Sequence, residues 1–380
     1  MRTVFALIAA FTAAGALAQP LGLPPLPIPE DNPQTPEKIA LGERLFRDVR
    51  FSSTGTVACA KCHVPEEAFT DSPLTVSEGV NGLTGTRNAP TVLNAAYNRT
   101  QFWDGRSPDL EDQAMHPFLN PVEMAVPSYD VMLDVIRADR EYARAFRNVF
   151  GVRAEDITMR EVTQAIAAFE RTQIYGDSPF DRWYFGGDES AISEQAKRGF
   201  DVFLKQGRCV SCHTIEQDHA LFTDHRFHNV GIGMDRIEAR APELARAFLV
   251  AKSQGIDVDT AVLTDPDTSH LGRFAVTNDI SEIGAFKTPT LRNVAVTPPY
   301  MHDGSLATLR EVVEHYNNGG VTPADAPVSA FISGGIRPLE LTEQQIDDLV
   351  AFMETLTSPE IEARVAAAAR AEAVSGGSGQ

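Results

Sequence analysis

The sequence predicts a mainly α-helical protein made of two similar domains. Three observations lead to this fold class: a five-residue motif occurs twice, helical patterns flank both copies, and further matches connect the two halves. A length of 380 residues is enough for two domains. We predict a leader at 1–18, an extended arm at 19–35, one domain at 36–185, a second at 186–360 and a flexible tail at 361–380.

The repeated motif is C-x-x-C-H, at residues 59–63 and 209–213, and it uses all four cysteines of the chain. This is the attachment signature of a c-type haem, in which two thiols bond the porphyrin and the histidine binds the iron. Structural zinc usually brings its second cysteine pair within about 20 residues, and disulfides would leave both histidines unused. We therefore expect two covalent haems, held by Cys59, Cys62 and His63, and by Cys209, Cys212 and His213.

The N-terminus has the pattern of a secretory leader. Arg2 precedes an apolar run from Val4 to Leu17 that ends in small residues. Cleavage near Gln19 would export the protein, in a bacterium to the periplasm, where c-type haem is attached. No other stretch is long and apolar enough to cross a bilayer. The net charge of −19 argues against nucleic acid as a partner and would favour a basic electron-transfer partner.

Helical patterns surround the two motifs in the same order. Helices are predicted at about 36–46, 128–150, 158–171, 193–205 and 342–352. Two of them open with capping boxes, Thr158 with Glu161 and Thr342 with Gln345. A helix, a haem motif, loops and a closing helix form the cytochrome c plan, here predicted twice.

The two halves also match outside the motifs. Residues 69–71 and 222–224 both read Phe-Thr-Asp, an offset of 153. Later matches share an offset of 199: Pro90 with Pro289, Asn94 with Asn293, Asp104 with Asp303, Leu110 with Leu309, and His116 with His315. The change of offset predicts an insertion within about 225–286.

The same alignment places Pro117 opposite Tyr316. A tyrosinate oxygen can bind ferric iron, whereas the amide nitrogen of proline cannot. If this position covers the iron in both halves, the second haem is capped and the first is open to peroxide or dioxygen. Residues 64–115 contain no histidine that could close the first haem. From spacing alone, Tyr316 and Met301 are equal candidates for the second ligand of the second haem.

Gln113 and Glu123 are candidate side chains beside the open haem. Splitting a peroxide requires a group that moves a proton from the inner to the outer oxygen, and a carboxyl with a pKa raised by burial suits this task. Glu123 could equally be an acid at a helix N-terminus. Trp103 could pass oxidising equivalents between the haems, or it could be a core residue.

The chain resembles the bacterial di-haem cytochrome c peroxidase and MauG family over nearly all of its predicted mature length. The resemblance is carried by the segments CAKCH, RNAPTVLNA, QFWDGR, LEDQA, NPVEM, CVSCH, FKTPTLRNV, PYMHDG and LTEQQIDDLVAFMETLT. It implies two cytochrome c-like, mainly helical domains whose haems face each other across the interface.

The resemblance also implies roles for single residues. His63 and His213 would be the proximal ligands of the two irons. Glu123 and Gln113 would be the distal acid and amide of the peroxide-binding haem, and Trp103 would lie between the haems. One calcium ion is implied between the haems, and oxygen atoms suit it as ligands. Its ligands would be Asn88 and the carbonyls of Thr297 and Pro299.

The subfamily depends on the position of Tyr316. Peroxidases of the family typically have Met there, whereas members similar to MauG have Tyr, so the resemblance favours Tyr316 over Met301. The typical peroxidase also has a distal histidine in the loop near Val80, which this chain lacks. Members that act in methylamine utilisation have a surface Trp where this chain has Gly207, which argues against the same route to tryptophan tryptophylquinone.

Two functions are therefore predicted as alternatives. The first is a periplasmic di-haem oxidoreductase that uses hydrogen peroxide. Its electrons would come from side chains of a protein substrate, as in MauG, or from a small redox protein, as in a cytochrome c peroxidase. The second is an electron-transfer cytochrome with two six-coordinate haems and no chemistry at either iron. A high-spin haem in the resting protein would favour the enzyme.

Overall fold

The computed structural model describes residues 19–376. The predicted leader at 1–18 and the last four residues lie outside this range. Helices dominate the described part, which confirms the mainly α class. One short antiparallel pair of strands, β1 (Phe227–His228) and β2 (Phe286–Lys287), joins two distant parts of the second half. None of the described helices is long and apolar enough to cross a membrane.

The first half is built on a pair of packed helices, α1 and α7. Its helices are α1 (Pro36–Phe46), α2 (Cys59–Cys62), α3 (Leu110–Gln113), α4 (His116–Leu119), α5 (Tyr129–Ala138), α6 (Arg140–Phe150) and α7 (Met159–Glu170). The α1 helix begins where the Thr35 side chain accepts a hydrogen bond from the Lys38 backbone. Gly42 lets α1 approach α7 closely, because a Cβ there would lie 1.8 Å from the carbonyl oxygen of Ala165.

The second half repeats this arrangement with α9 and α16. Its helices are α8 (Pro179–Tyr184), α9 (Glu194–Leu204), α10 (Met234–Ile237), α11 (Ala241–Ser253), α12 (Val258–Thr264), α13 (Pro266–Ser269), α14 (Phe274–Thr277), α15 (Leu309–Asn317), α16 (Glu343–Glu354) and α17 (Pro359–Gly376). Gly199 of α9 corresponds to Gly42, since its Cβ would lie 1.8 Å from the carbonyl oxygen of Asp348. The predicted capping box of Thr342 and Gln345 opens α16.

The last helix occupies most of the segment predicted as a flexible tail at 361–380. Residues up to Gly376 form α17, and Ile361 is fully buried in the core of the first half. The α8 helix makes the reverse crossing, because Phe180 is buried in the core of the second half. Each domain is thus completed by a helix that follows the closing helix of the other domain. The two cores therefore do not divide at residues 185 and 186.

Helices α10 to α14 lie in the region of the predicted insertion and form a third small core. Met234, Phe248, Leu271 and Phe274 are among its buried members. Val122, from the first half, packs against this core. The insertion therefore lies against the segment that carries Glu123.

The arm at 19–35 contains no helix and connects the two halves. The carbonyl of Leu21 accepts a hydrogen bond from the backbone of Asp177, and the carbonyl of Gly22 accepts one from Ala220. Gly22 has a φ of +81°, and a Cβ there would overlap the Asp181 side chain. The arm therefore packs closely against the rest of the protein and belongs to its fold.

Candidate functional site

Both motif histidines are held in the same way by the repeated Phe-Thr-Asp segment. His63 Nδ1 lies 3.2 Å from the carbonyl oxygen of Phe69, and His213 Nδ1 lies 2.8 Å from that of Phe222. Burial lowers the pKa of both imidazoles, which favours the neutral form that binds metals. This is the arrangement of a metal-binding histidine, whose other ring nitrogen donates to a carbonyl.

The four cysteines are free thiols beside these histidines, and none of them forms a disulfide. Cys59 and Cys62 lie on the single turn of α2, and Cys209 and Cys212 lie on a corresponding turn. A two-residue spacing within one turn leaves both thiols next to the histidine that follows. The donor set therefore fits a c-type haem in each half.

A cavity opens beside the first motif. Its lining includes Cys62, His63, Trp103, Gln113, Pro117 and Glu123. The residues predicted on opposite sides of the first haem thus line one space. Pro117 belongs to that lining, as expected for a residue at the position that would overhang the iron.

Glu123 lies in the loop that follows α4 and lines the cavity beside the first motif. Its carbonyl accepts a hydrogen bond of 2.9 Å from the backbone of Val80. Burial raises the pKa of its carboxyl to about 8, the charge of Asp259 adds to this, and Arg106 opposes it. A pKa raised in this direction favours the protonated form of Glu123 near neutral pH.

A buried network of charges lies behind the cavity, and sequence reasoning missed it. Asp104 accepts from Arg87 at 2.6 Å and from Arg106 at 3.0 Å. Asp259, on α12 of the insertion, accepts from Arg106 at 2.7 Å and from Asn120 at 2.6 Å. Burial alone would raise the pKa of Asp104, but the two arginines hold it well below its usual range. Asp104 carried a sequence signal in its match with Asp303, and Arg87, Arg106 and Asn120 stand in segments that resemble the family, whereas Asp259 carried none.

Glu170, at the end of α7, is a second carboxyl in the cavity lining that the sequence did not indicate. The residue is only 5% exposed, and its Oε2 has no hydrogen-bond partner. Burial raises its pKa to about 8, against the opposing charge of Arg171. The second half has Met353 at the matching place in its closing helix, where Phe-Met-Glu-Thr replaces Phe-Glu-Arg-Thr.

Trp103 lies where the two halves meet. Its indole N–H donates to the carbonyl of Asn88 at 2.9 Å, and its own carbonyl accepts from the backbone of Lys287 at 2.7 Å. The backbone of Asn88 in turn donates to the carbonyl of His302 at 2.8 Å. Under the offset of 199, Asn88 corresponds to Lys287. Trp103 corresponds to His302, so the two bonds between the halves are related by an approximate two-fold symmetry.

Tyr316 lies on α15, near the second motif. Burial raises the pKa of its hydroxyl, and the nearby thiols of Cys212 and Cys209 add to the effect. The hydroxyl makes no hydrogen bond to any residue that the structure describes. The neighbouring His315 is not available to bind iron, because its ring nitrogens contact Val230 and Thr322 at 2.8 Å each.

Met301, the alternative ligand, has a left-handed backbone with a φ of +75°. Its counterpart in the first half is Phe102, which has a φ of +65° and lines the cavity there. Met301 therefore stands at the position of the second half that corresponds to a cavity-lining residue of the first half. Both candidate ligands correspond to cavity-lining residues.

The predicted calcium ligands offer oxygen atoms without partners. Asn88 donates through Nδ2 to the carbonyls of Leu74 and Thr75, at 3.4 and 3.2 Å. Its Oδ1, and the carbonyls of Thr297 and Pro299, accept no hydrogen bond from the described residues. Carboxamide and backbone oxygens are of the chemical kind that calcium takes as ligands.

Comparison with known proteins agrees with this geometry. The family described as di-haem cytochrome c peroxidase matches residues 36–190, and the cytochrome c family matches residues 196–357. Among solved structures, a MauG-like protein associated with microbial copper homeostasis superposes with a TM-score of 0.73 at 33% identity. That match covers 93% of this chain and 99% of the other.

Relatives of known name cover most of the chain. The methylamine utilization protein MauG of Methylorubrum extorquens is 39% identical over 87% of this chain and 81% of its own length. The cytochrome-c peroxidase IdrP1 of Denitromonas iodatirespirans is 38% identical over 95% of this chain and 93% of its own length. Two cytochrome c-like domains and two haem motifs accompany these matches. The chain therefore belongs to the di-haem cytochrome c peroxidase and MauG family, and it is an oxidoreductase of the di-haem peroxidase type.

Proposed function

We propose that the protein cleaves hydrogen peroxide in the cavity of the first domain and draws the electrons for it through the second domain. One observation carries this proposal: His63, Gln113 and Glu123 line one cavity in which Pro117 takes the place of Tyr316. The first site keeps an acid and an amide and offers no ligand at the overhanging position. The second site has a tyrosine there.

A c-type haem, when held by Cys59, Cys62 and His63, supplies an iron that activates the O–O bond of a peroxide. Glu123 supplies the proton transfer that this cleavage requires. Its neutral carboxyl gives a proton to the outer oxygen, which leaves as water, and takes a proton from the inner oxygen. The Gln113 amide orients the peroxide by hydrogen bonding.

The residues at the second centre suit electron transfer. His213 and Tyr316 would hold its iron, with Met301 as the alternative to Tyr316. An anionic oxygen ligand stabilises oxidised iron, whereas methionine raises the potential. Trp103 lies between the halves, fixed through its indole and its carbonyl, and is placed to relay electrons.

The location of the protein, its bound ion and its electron source are part of the same proposal. The leader pattern at 1–18 supports a periplasmic location, and the unpartnered oxygens of Asn88, Thr297 and Pro299 support one bound calcium ion. The electron source is a protein, either a small redox protein or a protein substrate. MauG and cytochrome-c peroxidase are both names of its relatives, and Tyr316 supports a MauG-like second iron site with either electron source.

The test is to add hydrogen peroxide to the fully ferric di-haem protein and follow its absorption spectrum. The wild type should respond without prior reduction. Glu123→Gln should slow that response by about 10²–10⁴-fold while haem content stays unchanged. Because the neutral acid is needed, the wild-type rate should fall above about pH 8, where Glu123 ionises.

Glu155→Gln is a matched control, since Glu155 is an exposed carboxylate of the same domain. It should leave the peroxide response unchanged. A normal rate in Glu123→Gln would make Glu123 a structural residue. A wild-type protein that responds only after one haem is reduced would contradict the open first site.

A further inference from the structure

A series of packed aromatic rings leads from the second motif toward the surface. His213 Nδ1 contacts the carbonyl of Phe222 at 2.8 Å. The Phe222 ring lies 5.2 Å from that of Phe180, which is fully buried on α8. From Phe180 the ring centroids of Trp183 and Tyr184 are 6.2 and 5.2 Å away. Rings in such close contact form a short, continuous path for electron tunnelling.

The path reaches solvent at the end of α8. Tyr184 is 45% exposed and stacks on Phe180 with an interplanar angle of 14°. Trp183 is half-buried and packs edge-on against Phe200 at 5.3 Å. Its indole N–H donates to the exposed carboxylate of Glu189 at 3.2 Å.

The surroundings favour Trp183 over Tyr184 as the redox-active residue. Oxidation of a tyrosine at neutral pH requires a base that takes the phenolic proton. The Tyr184 hydroxyl has no hydrogen-bond partner among residues 19–376. Trp183 has such a base, because the Glu189 carboxylate already accepts its N–H.

In the described part of the chain, the helix that corresponds to α8 in the first half offers no equivalent path. There α17 takes the place that α8 has in the second half, since each follows a closing helix and packs on the opposite core. The sequence of α17 contains no Trp, Tyr, Cys or Met. Gly207, close to the second motif, is excluded as a site of electron entry. The position has no side chain, and even a Cβ there would lie 2.9 Å from the Val202 carbonyl oxygen. Of these segments, only α8 joins a haem motif to an exposed oxidisable side chain.

We propose that Trp183 is the surface site through which a small redox protein with a reduced metal centre delivers electrons to the oxidised enzyme. The inference rests on the proposed function, which supplies the oxidant. Trp183 gives one electron to the oxidised second centre and its Nε1 proton to Glu189. The donor then returns one electron to the indolyl radical, and Glu189 returns the proton. Two such cycles consume the two oxidising equivalents of one peroxide.

The first experiment measures electron delivery by a simple metal-centred reductant. The ferric di-haem protein is oxidised with one equivalent of hydrogen peroxide, ferrocyanide is added, and the return of the absorption spectrum is timed. Trp183→Phe should form the same oxidised spectrum as the wild type and return several-fold more slowly. Trp183→Tyr should recover part of the rate, because its phenol also lies near Glu189.

Tyr184→Phe is the matched control, since it keeps the ring that stacks on Phe180 and removes only the hydroxyl. It should return at the wild-type rate. If Trp183→Phe responds to peroxide and also returns at the wild-type rate, the role of Trp183 is wrong and the proposed function stands. A wild type that does not respond to peroxide at all overturns the proposed function instead.

A second readout does not depend on turnover. When peroxide is added without any reductant, the oxidising equivalents should damage the residue at which they reach the surface. Peptide mass spectrometry should then find oxygen added to Trp183, and in Trp183→Phe this product should be replaced by oxidation of Tyr184. Oxidation confined to other residues, with Trp183 intact in the wild type, would contradict the proposal.

Discussion

Single substitutions between matching positions account for the chemical difference between the two centres. Both halves hold a motif histidine against a phenylalanine carbonyl, so the proximal sides are equivalent. The other sides differ at Pro117 against Tyr316, and the closing helices differ at Glu170 against Met353. Each difference adds a protonatable group or removes a ligand in the first half. Under the proposed function, the first centre thus has more space and an additional acid, and the second has a candidate ligand.

At the same scale, the ligand of the second iron can be assigned by substitution. Tyr316→Phe removes the only oxygen of that side chain and should abolish the low-spin ferric signal of the second haem in electron paramagnetic resonance. Met301→Leu keeps volume and polarity close to the original and is the matched variant. Loss of the low-spin signal in Met301→Leu, with Tyr316→Phe unchanged, would give the ligand role to Met301.

At the scale of elements, the closing segments are exchanged between the domains. The α8 helix fills the second core with Phe180, and α17 fills the first core with Ile361. Asn94 and Asn293 anchor the matching crossings: they bond to the backbone of Tyr175 and Ser358. The exchange fixes where α8, and with it Trp183, stands relative to the second motif.

Substitution of a core residue on α17 measures how much the packing of this helix on the first half stabilises the protein. Ile361→Ala should lower the free energy of unfolding by about 2–5 kcal/mol, because it removes a fully buried side chain from the core of the first half. Denaturant unfolding of the di-haem protein, followed by far-ultraviolet circular dichroism, gives the value. Glu362→Ala, on the exposed side of the same turn, should change stability by no more than about 0.5 kcal/mol. Equal values for the two variants would mean that α17 does not dock.

Elements with local signals were predictable from the sequence, and those with remote partners were not. The α1 helix has the predicted bounds because Thr35 caps it and Pro36 starts it. In α17 the alanine-rich composition suggests a frayed end, and the partner of Ile361 lies in the other half of the chain. No local pattern reports such a contact.

The candidate site divides in the same way. The positions of Glu123 and Gln113 in the cavity lining could be predicted, because both residues stand in segments that resemble the family. Asp259 could not be predicted, since it reaches Arg106 only when the insertion folds back on the first domain. Glu170 resembled any acid at the end of a helix until its burial in the cavity lining was seen.

At the scale of the whole molecule, buried charges join the insertion to the peroxide cavity. Arg106 lines the cavity and pairs with Asp104 of its own half and with Asp259 of the insertion. Because the charge of Asp259 adds to the raised pKa of Glu123, the insertion influences the protonation of the proposed catalytic acid.

Asp259→Asn tests this connection. Removing the charge lowers the pKa of Glu123, so the alkaline fall in the peroxide reaction should move to lower pH. The variant should also lose about 3 kcal/mol of stability, the low end for a broken buried pair, because Asp104 still accompanies Arg106. Stopped-flow rates between pH 6 and 9, a range chosen around the pKa of about 8, give the profile.

Asp257→Asn is the control for that variant, since Asp257 is the exposed N-cap of the same helix and Asn caps equally well. It should change neither the pH profile nor the stability. An unchanged profile in Asp259→Asn would separate the insertion from the chemistry.

The exchanged helices also decide how the chain can be divided. A fragment that stops after the first closing helix would leave the pocket of Ile361 empty and exposed to water. A fragment that starts at α9 would lack Phe180 and open the aromatic core around Phe222 and Phe352. Neither half is then a complete folding unit, so expression of one haem domain alone should give an insoluble product. A division of the chain between its two haem motifs therefore leaves both cores incomplete.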